Sequence, residues 1–235
     1  MRKISLLLAL FFVCITVFLS CKKKDGINNG IENKNRQPFD IMSTKDGSWW
    51  LYKADDGAVF YRYATGRDSF VAGLTYDYFY RIETTSVMKE PTPEYFGKND
   101  GKYISLIDLN GEQKDYITYV ILVDNSYQGQ TWDNTENRKI QGWNLNLLIE
   151  SEILSVTESL TLEGKTYTDV IHVHNDLKAK SVVMPAYVKC GTLEVWFKKG
   201  VGILKEDGDI DISPAGVSLL SKKYADHLVD YHIEP

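Results

Sequence analysis

Apolar and polar positions alternate along much of this chain with a period of two. Leu74, Tyr76, Tyr78, Tyr80 and Ile82 share one parity, and Thr75, Asp77, Phe79, Arg81 and Glu83 the other, which predicts a half-buried strand. Residues 116–123 (YITYVILV) are β-branched or aromatic on both parities and predict a central strand. Leu193, Val195 and Phe197 alternate with Thr192, Glu194, Trp196 and Lys198 before Gly200 breaks the run ahead of Val201-Gly202-Ile203-Leu204. Turn signals fall at Asp55-Asp56-Gly57, Asn99-Asp100-Gly101, Asn110-Gly111, Glu163-Gly164 and Asp207-Gly208.

Two segments are less plain. In 143–162, Leu145, Leu147 and Ile149 alternate, but Leu154 and Val156 fall on the opposite parity. A bulged or bent pair of strands accounts for the switch, and a short helix around 147–155 is the alternative. In 217–233, the alternation of His227, Val229, Tyr231 and Ile233 favours a closing strand, while Leu219, Leu220, Lys223 and Tyr224 would also suit a helical turn. Gly-x-Thr-Tyr occurs at Gly73–Tyr76 and Gly164–Tyr167, after Trp50 and Trp132 respectively. Either it marks a worn duplication, or two hairpins solve the same turn problem.

The first residues carry an address. Arg2 and Lys3 precede an uncharged run from Ile4 to Leu19, sixteen residues, shorter than the roughly 20 a spanning helix needs. A basic start, a short apolar middle and a small residue at Ser20 describe a signal peptide. Val17-Phe18-Leu19-Ser20-Cys21 resembles the lipobox of bacterial lipoproteins, and a box ending Leu-Ser-Cys before lysines looks like those of Bacteroidota. The resemblance implies cleavage before Cys21, acylation of its thiol (palmitate among the chains) and an outer-membrane location. An ordinary secretory signal with a chance cysteine, or an uncleaved anchor, are the other readings. Lys22, Lys23 and Lys24 come first and Asp25 follows, so a periplasm-facing position is favoured over surface display.

Residues 22–37 (KKKDGINNGIENKNRQ) hold too little apolar area to order themselves. As a flexible tether they would reach roughly 20–24 Å. The expected organisation is a signal peptide (1–20), a lipidated cysteine and tether (21–37) and one β-rich domain (38–235). The mature chain keeps 25 basic against 32 acidic residues, a net charge of −7, which argues against a nucleic-acid partner. With Cys14 removed and Cys21 lipidated, Cys190 is left alone and no internal disulfide is expected. It reads as a small buried hydrophobe.

Gly129-Gln130-Thr131-Trp132, Gly164-Lys165-Thr166-Tyr167-Thr168-Asp169-Val170 and the run Trp196–Lys205 (WFKKGVGILK) resemble landmarks of uncharacterised Bacteroidota outer-membrane lipoproteins over about residues 45–233. The resemblance implies a curved antiparallel sheet, half-barrel or barrel-like, with no assigned chemistry. With the alternation above, the fold class is mainly β with at most short helices.

Catalytic candidates are few. There is no Gly-x-Ser-x-Gly elbow, and only four histidines, 172, 174, 227 and 232. His172 and His174 share a strand face, and a metal could use them with Asp169 or Asp176, but a site needs three or four ligands. Two partly exposed residues on a polar face is the simpler reading, so no metal or cofactor is expected. Asp207, Asp209 and Asp211 fail the calcium-loop rule, with Ile212 where glycine belongs, and read as a solvated hairpin turn. The five Trp and fifteen Tyr all lie in the mature chain. Tyr76, Tyr78, Tyr80 and Trp196 are the candidate lining of a concave sheet that could hold an apolar small molecule. The expected function is a non-catalytic binding or scaffold lipoprotein. A glycan- or protein-recognition module on an aromatic sheet face is the alternative, and a hydrolase with an unrecognised site the third.

Overall fold

The structure, a computed structural model, describes residues 36–84, 90–108 and 116–235. The segment with Cys21 and the Asn110-Gly111 turn signal lie outside them. Among the described residues thirteen strands follow in chain order: β1 (Arg36–Gln37), β2 (Trp49–Ala54), β3 (Val59–Val71), β4 (Leu74–Glu83), β5 (Thr92–Asn99), β6 (Lys102–Asp108), β7 (Tyr116–Val123), β8 (Thr131–Ile140), β9 (Trp143–Leu162), β10 (Lys165–Lys180), β11 (Val188–Lys198), β12 (Gly202–Ile212) and β13 (Leu220–His232). Among the described residues a single 3₁₀ turn covers Pro214–Gly216.

All pairings are antiparallel, in the order β7-β6-β5-β4-β3-β2-β13-β12-β11-β10-β9-β8, with β1 added to β5. The sheet is a nearly closed barrel. Arg36 and Gln37 pair with Asn99 and Lys98, so the sheet takes in two residues placed with the tether. Four hairpins turn through a left-handed pair, Ala72-Gly73, Asp100-Gly101, Gln141-Gly142 and Glu163-Gly164. Two positive φ values in succession make the turn whose twist matches antiparallel strands. Both Gly-x-Thr-Tyr motifs begin at the glycine of such a turn, and the other two hairpins use it without the motif.

The inner face carries the main core: Trp50 and Tyr52, Phe60, Phe79, Phe96, Ile149 and Ile153, Val173, Val195 and Phe197, Leu204 and Leu228. Phe39, Ile41 and Met42, just after β1, join it. A second cluster, with Leu145, Leu147, Ile212 and Leu219, fills the rim where β8 turns into β9 and β12 connects to β13. Each such side chain contributes about 1.5–3 kcal/mol on burial. The core also holds an ion pair. Buried Arg62 donates to Glu94 through Nε (2.5 Å) and Nη2 (3.1 Å) and to Tyr52 Oη (3.2 Å), and that hydroxyl donates to Ile203 O (2.9 Å).

The structure corrects three expectations. Residues 116–123 form not a central strand but β7, one end of the sheet. Both of its faces are covered, since Tyr119 and Ile121 join the main core and Val120 the outer cluster, and side chains of β8 occupy its edge: Asn134 Oδ1 accepts from Val120 N–H (3.1 Å), Trp132 Nε1 donates to Val120 O (2.9 Å) and Arg138 Nη2 to Tyr116 O (2.6 Å). Asp207-Gly208 is not a turn but lies within β12, so the Asp207, Asp209 and Asp211 series is strand too. Gly208 is needed there because a Cβ would come within 2.3 Å of the Tyr224 ring. Residues 143–162 are one strand rather than two, and the parity switch answers register shifts against β10 between Tyr167 and Val173. The tail forms the closing strand β13, as its alternation predicts.

Candidate functional site: an aromatic strip on the outer face

Strands β2, β3 and β4 carry aromatics on both parities. Trp50, Tyr52 and Phe60 face inward, so Trp49, Tyr61 and Tyr63 face outward and stay half-buried. Register then assembles them: Trp49 lies opposite Tyr63, Tyr63 opposite Tyr80, and His232 opposite Trp49. Ring centroids stand 5.8 Å apart for Trp49–Tyr61, 5.5 Å for Tyr61–Tyr63, 5.1 Å for Tyr63–Tyr80 and 6.3 Å for Trp49–His232. Rings lying flat side by side would need centroids about 7 Å apart or more. Tyr61, Tyr63 and Tyr80 therefore share faces in turn, and Trp49 stacks on His232 and meets Tyr61 edge-on at 70°, so the row offers mainly edges and hydroxyls outward. Burial, then the neighbouring Tyr61 and Tyr80, raise the Tyr63 phenol above its ordinary value, so it stays a neutral donor.

The four candidate lining residues do not line a concavity. Tyr76 is 0% exposed and packs with Tyr95, Ile104, Leu106 and Val120 in a cluster on the outer side that Trp132 covers. Tyr78 stacks toward Tyr95 (5.7 Å), and Tyr80 belongs to the strip. Trp196 lies on β11, 8% exposed, beneath His172 (4.3 Å, stacked) and the Lys205 ammonium (4.6 Å). The concave face is filled by the core and by Arg62–Glu94. A concavity of about 460 Å³ on β8–β10 is lined by polar groups, among them Asp133, Glu150, Glu152 and Asp176.

The histidines occupy three places. His172 contacts Glu158 (3.2 Å) and Glu194 (3.0 Å), and His174 contacts Glu194 (2.5 Å) and Asp176 (3.0 Å). Burial lowers the His174 pKa, but the bond to Glu194, its charge and Asp176 outweigh this and raise it. Asp169 pairs with Lys198 instead. His227 meets Glu163 (3.0 Å) and His232 meets Glu234 (3.2 Å). Among the described residues no group of three or more His, Cys, Asp or Glu is placed to hold a metal ion. Cys190 packs partly buried against the second cluster, and burial pushes its thiol up to about 11, so it is protonated at neutral pH.

Sequence reasoning named Tyr80 and missed Trp49, Tyr61 and Tyr63. The usable signal was the doubled aromatic parity of Trp49-Trp50 and Phe60-Tyr61, because only one parity of a strand can face the core.

No family model matches the chain, and no curated protein does. A crystal structure from Parabacteroides distasonis, provisionally described as a lipoprotein, superposes with a TM-score of 0.49 at 13% identity, covering 82% of this chain and 98% of that one. Another from Bacteroides fragilis, provisionally described as an exported protein with a YmcC-like fold, gives 0.45 at 9% identity, covering 80% and 97%. At these scores neither likeness bears on function.

Proposed function

We propose that this chain is a lipoprotein of the cell envelope, held to the outer membrane through Cys21 and facing the periplasm, whose domain is a non-catalytic recognition module. The recognition surface is the outer strip of Trp49, Tyr61, Tyr63 and Tyr80, and its partner is another envelope protein. The observation that supports this is the upright, mutually stacked arrangement of half-exposed rings. Stacking on a sugar needs free ring faces, whereas edges and hydroxyls over a rigid apolar base suit a protein interface, where Tyr and Trp are enriched. A concave apolar-ligand site has less support, since core residues fill the barrel.

A photo-crosslinking amino acid at position 63, introduced in intact cells, tests the reading. One discrete adduct is expected at 63 and none at position 70, and Tyr61→Ser with Tyr80→Ser should abolish it. A smear, or the same adduct from position 70, removes the reading. Mass spectrometry of the native protein tests the anchor separately, since an unmodified Cys21 refutes it.

A further inference from the structure

The β10–β11 connection departs from the turn chemistry used elsewhere in the barrel. Ser181 N–H donates to Met184 O (2.8 Å) and Met184 N–H to Ser181 O (3.1 Å), closing a tight turn over Ser181–Met184. Its two central residues are Val182 and Val183, where Gly, Asn, Asp or Pro is the ordinary choice. Val182 is 94% exposed and Val183 55%. On the same rim Val188 and, in the β12–β13 connection, Val217 are exposed as well. A single exposed valine needs no explanation. Two at the tip of a hydrogen-bonded turn, with no local reason to be there, mark a place where function overrides propensity.

The charge around this turn is one-sided. From Lys180 to Lys189 there is no acidic residue. Behind the turn, a recess of about 600 Å³ is lined by Arg138, Lys139 and Lys180, with Asn137, Asn144 and Asn146, and no carboxylate lines it. Arg138 is partly engaged, by Glu136 (3.1 Å) and Tyr116 O, while the Lys180 ammonium lies 4.5 Å over the Tyr187 ring. The chain as a whole is acidic, at −5, so this basic recess is a local feature.

We propose that this rim is a membrane-contact surface: Val182 and Val183 enter the acyl region of a bilayer, and the headgroup of an anionic phospholipid occupies the recess at Lys139 and Lys180. An apolar tip, a tyrosine at interface depth and lysines that reach along their stems to headgroups are the components such a contact needs. A recess with two lysines, Lys139 and Lys180, on one sheet face and no lining acid selects an anion, and a valine turn adds no polar group for reading a protein. The rim lies at the opposite end of the barrel from β1. The contact does not rest on the aromatic strip.

The test uses the full chain with an environment-sensitive fluorescent amino acid at position 182 or, as control, at Phe70 on the other rim. Vesicles of phosphatidylcholine, with or without phosphatidylglycerol, are the probe. A blue shift is expected at 182 with phosphatidylglycerol present and none at 70. Lys139→Gln with Lys180→Gln should weaken binding about 25-fold, roughly fivefold per lysine. Val183→Asp should remove the shift with the circular dichroism unchanged. No shift at 182, an equal shift at 70, or a shift that survives the double lysine variant would overturn the proposal.

Discussion

The two parities of β2–β4 use the same residue types for opposite ends. Inward, Trp50 and Tyr52 are sealed and their polar atoms are tied down: Trp50 Nε1 donates to Val201 O (2.6 Å), and Tyr52 Oη bridges Arg62 and Ile203 O. Outward, Tyr61, Tyr63 and Tyr80 keep part of each ring in solvent, and among the described residues no hydrogen bond holds their hydroxyls. In β2 the inward aromatics are anchored through their polar atoms, whereas the outward tyrosines leave theirs to solvent. Inner changes should therefore cost stability and spare any partner, and outer changes should do the reverse.

The largest effect should come from Arg62→Ala. It leaves the part-buried Glu94 without its partner and removes support for Tyr52, so denaturant unfolding should report a loss of about 3 kcal/mol. Tyr52→Phe keeps the ring and deletes the bridge, leaving Ile203 O unsatisfied, and should cost about 1–3 kcal/mol in the same measurement. Tyr61→Ser on the outer face should change stability by about 1 kcal/mol or less while abolishing the adduct formed from position 63. A stability loss at Tyr61 well beyond that at Tyr52 would erase the distinction.

A pH experiment sharpens the inner side. Glu206 faces the interior near Arg62, Glu94 and Asp226, and burial, above all, raises its pKa from the ordinary 4.5. A carboxyl raised on folding contributes stability below its ordinary pKa and loses it as pH rises through the folded value. Glu206→Gln should therefore raise the thermal midpoint at pH 7 and have no effect near pH 4. A gain of equal size at both pH values would place the effect elsewhere than in the ionisation.

Much of the architecture was legible in the sequence. The alternation from Leu74 to Glu83 and in β11 identified strands because burial of one sheet face imposes a two-residue period. The Asp100-Gly101 and Glu163-Gly164 hairpins were legible because few residues tolerate a positive φ. The position of β7 was not, since a strand buried on both faces reads the same at the middle of a sheet as beneath the side chains of a seam. Gly208 was misread for a related reason. A glycine can mark a turn or a close approach, and only the Tyr224 ring, sixteen residues on, tells which. Trp49, Tyr61, Tyr63 and Tyr80 come from three strands, and no local pattern records that their register makes them neighbours.

Taken alone, the sequence determined the strand content, most turns and the resemblance to an exported, lipidated chain, because each depends on neighbours within a few residues. Tertiary structure alone decided which parity faces inward, how β8 closes against β7, and that a standing row of rings and a valine-tipped rim exist. Those depend on pairing register and on sheet curvature, which bring residues far apart in the chain to one surface.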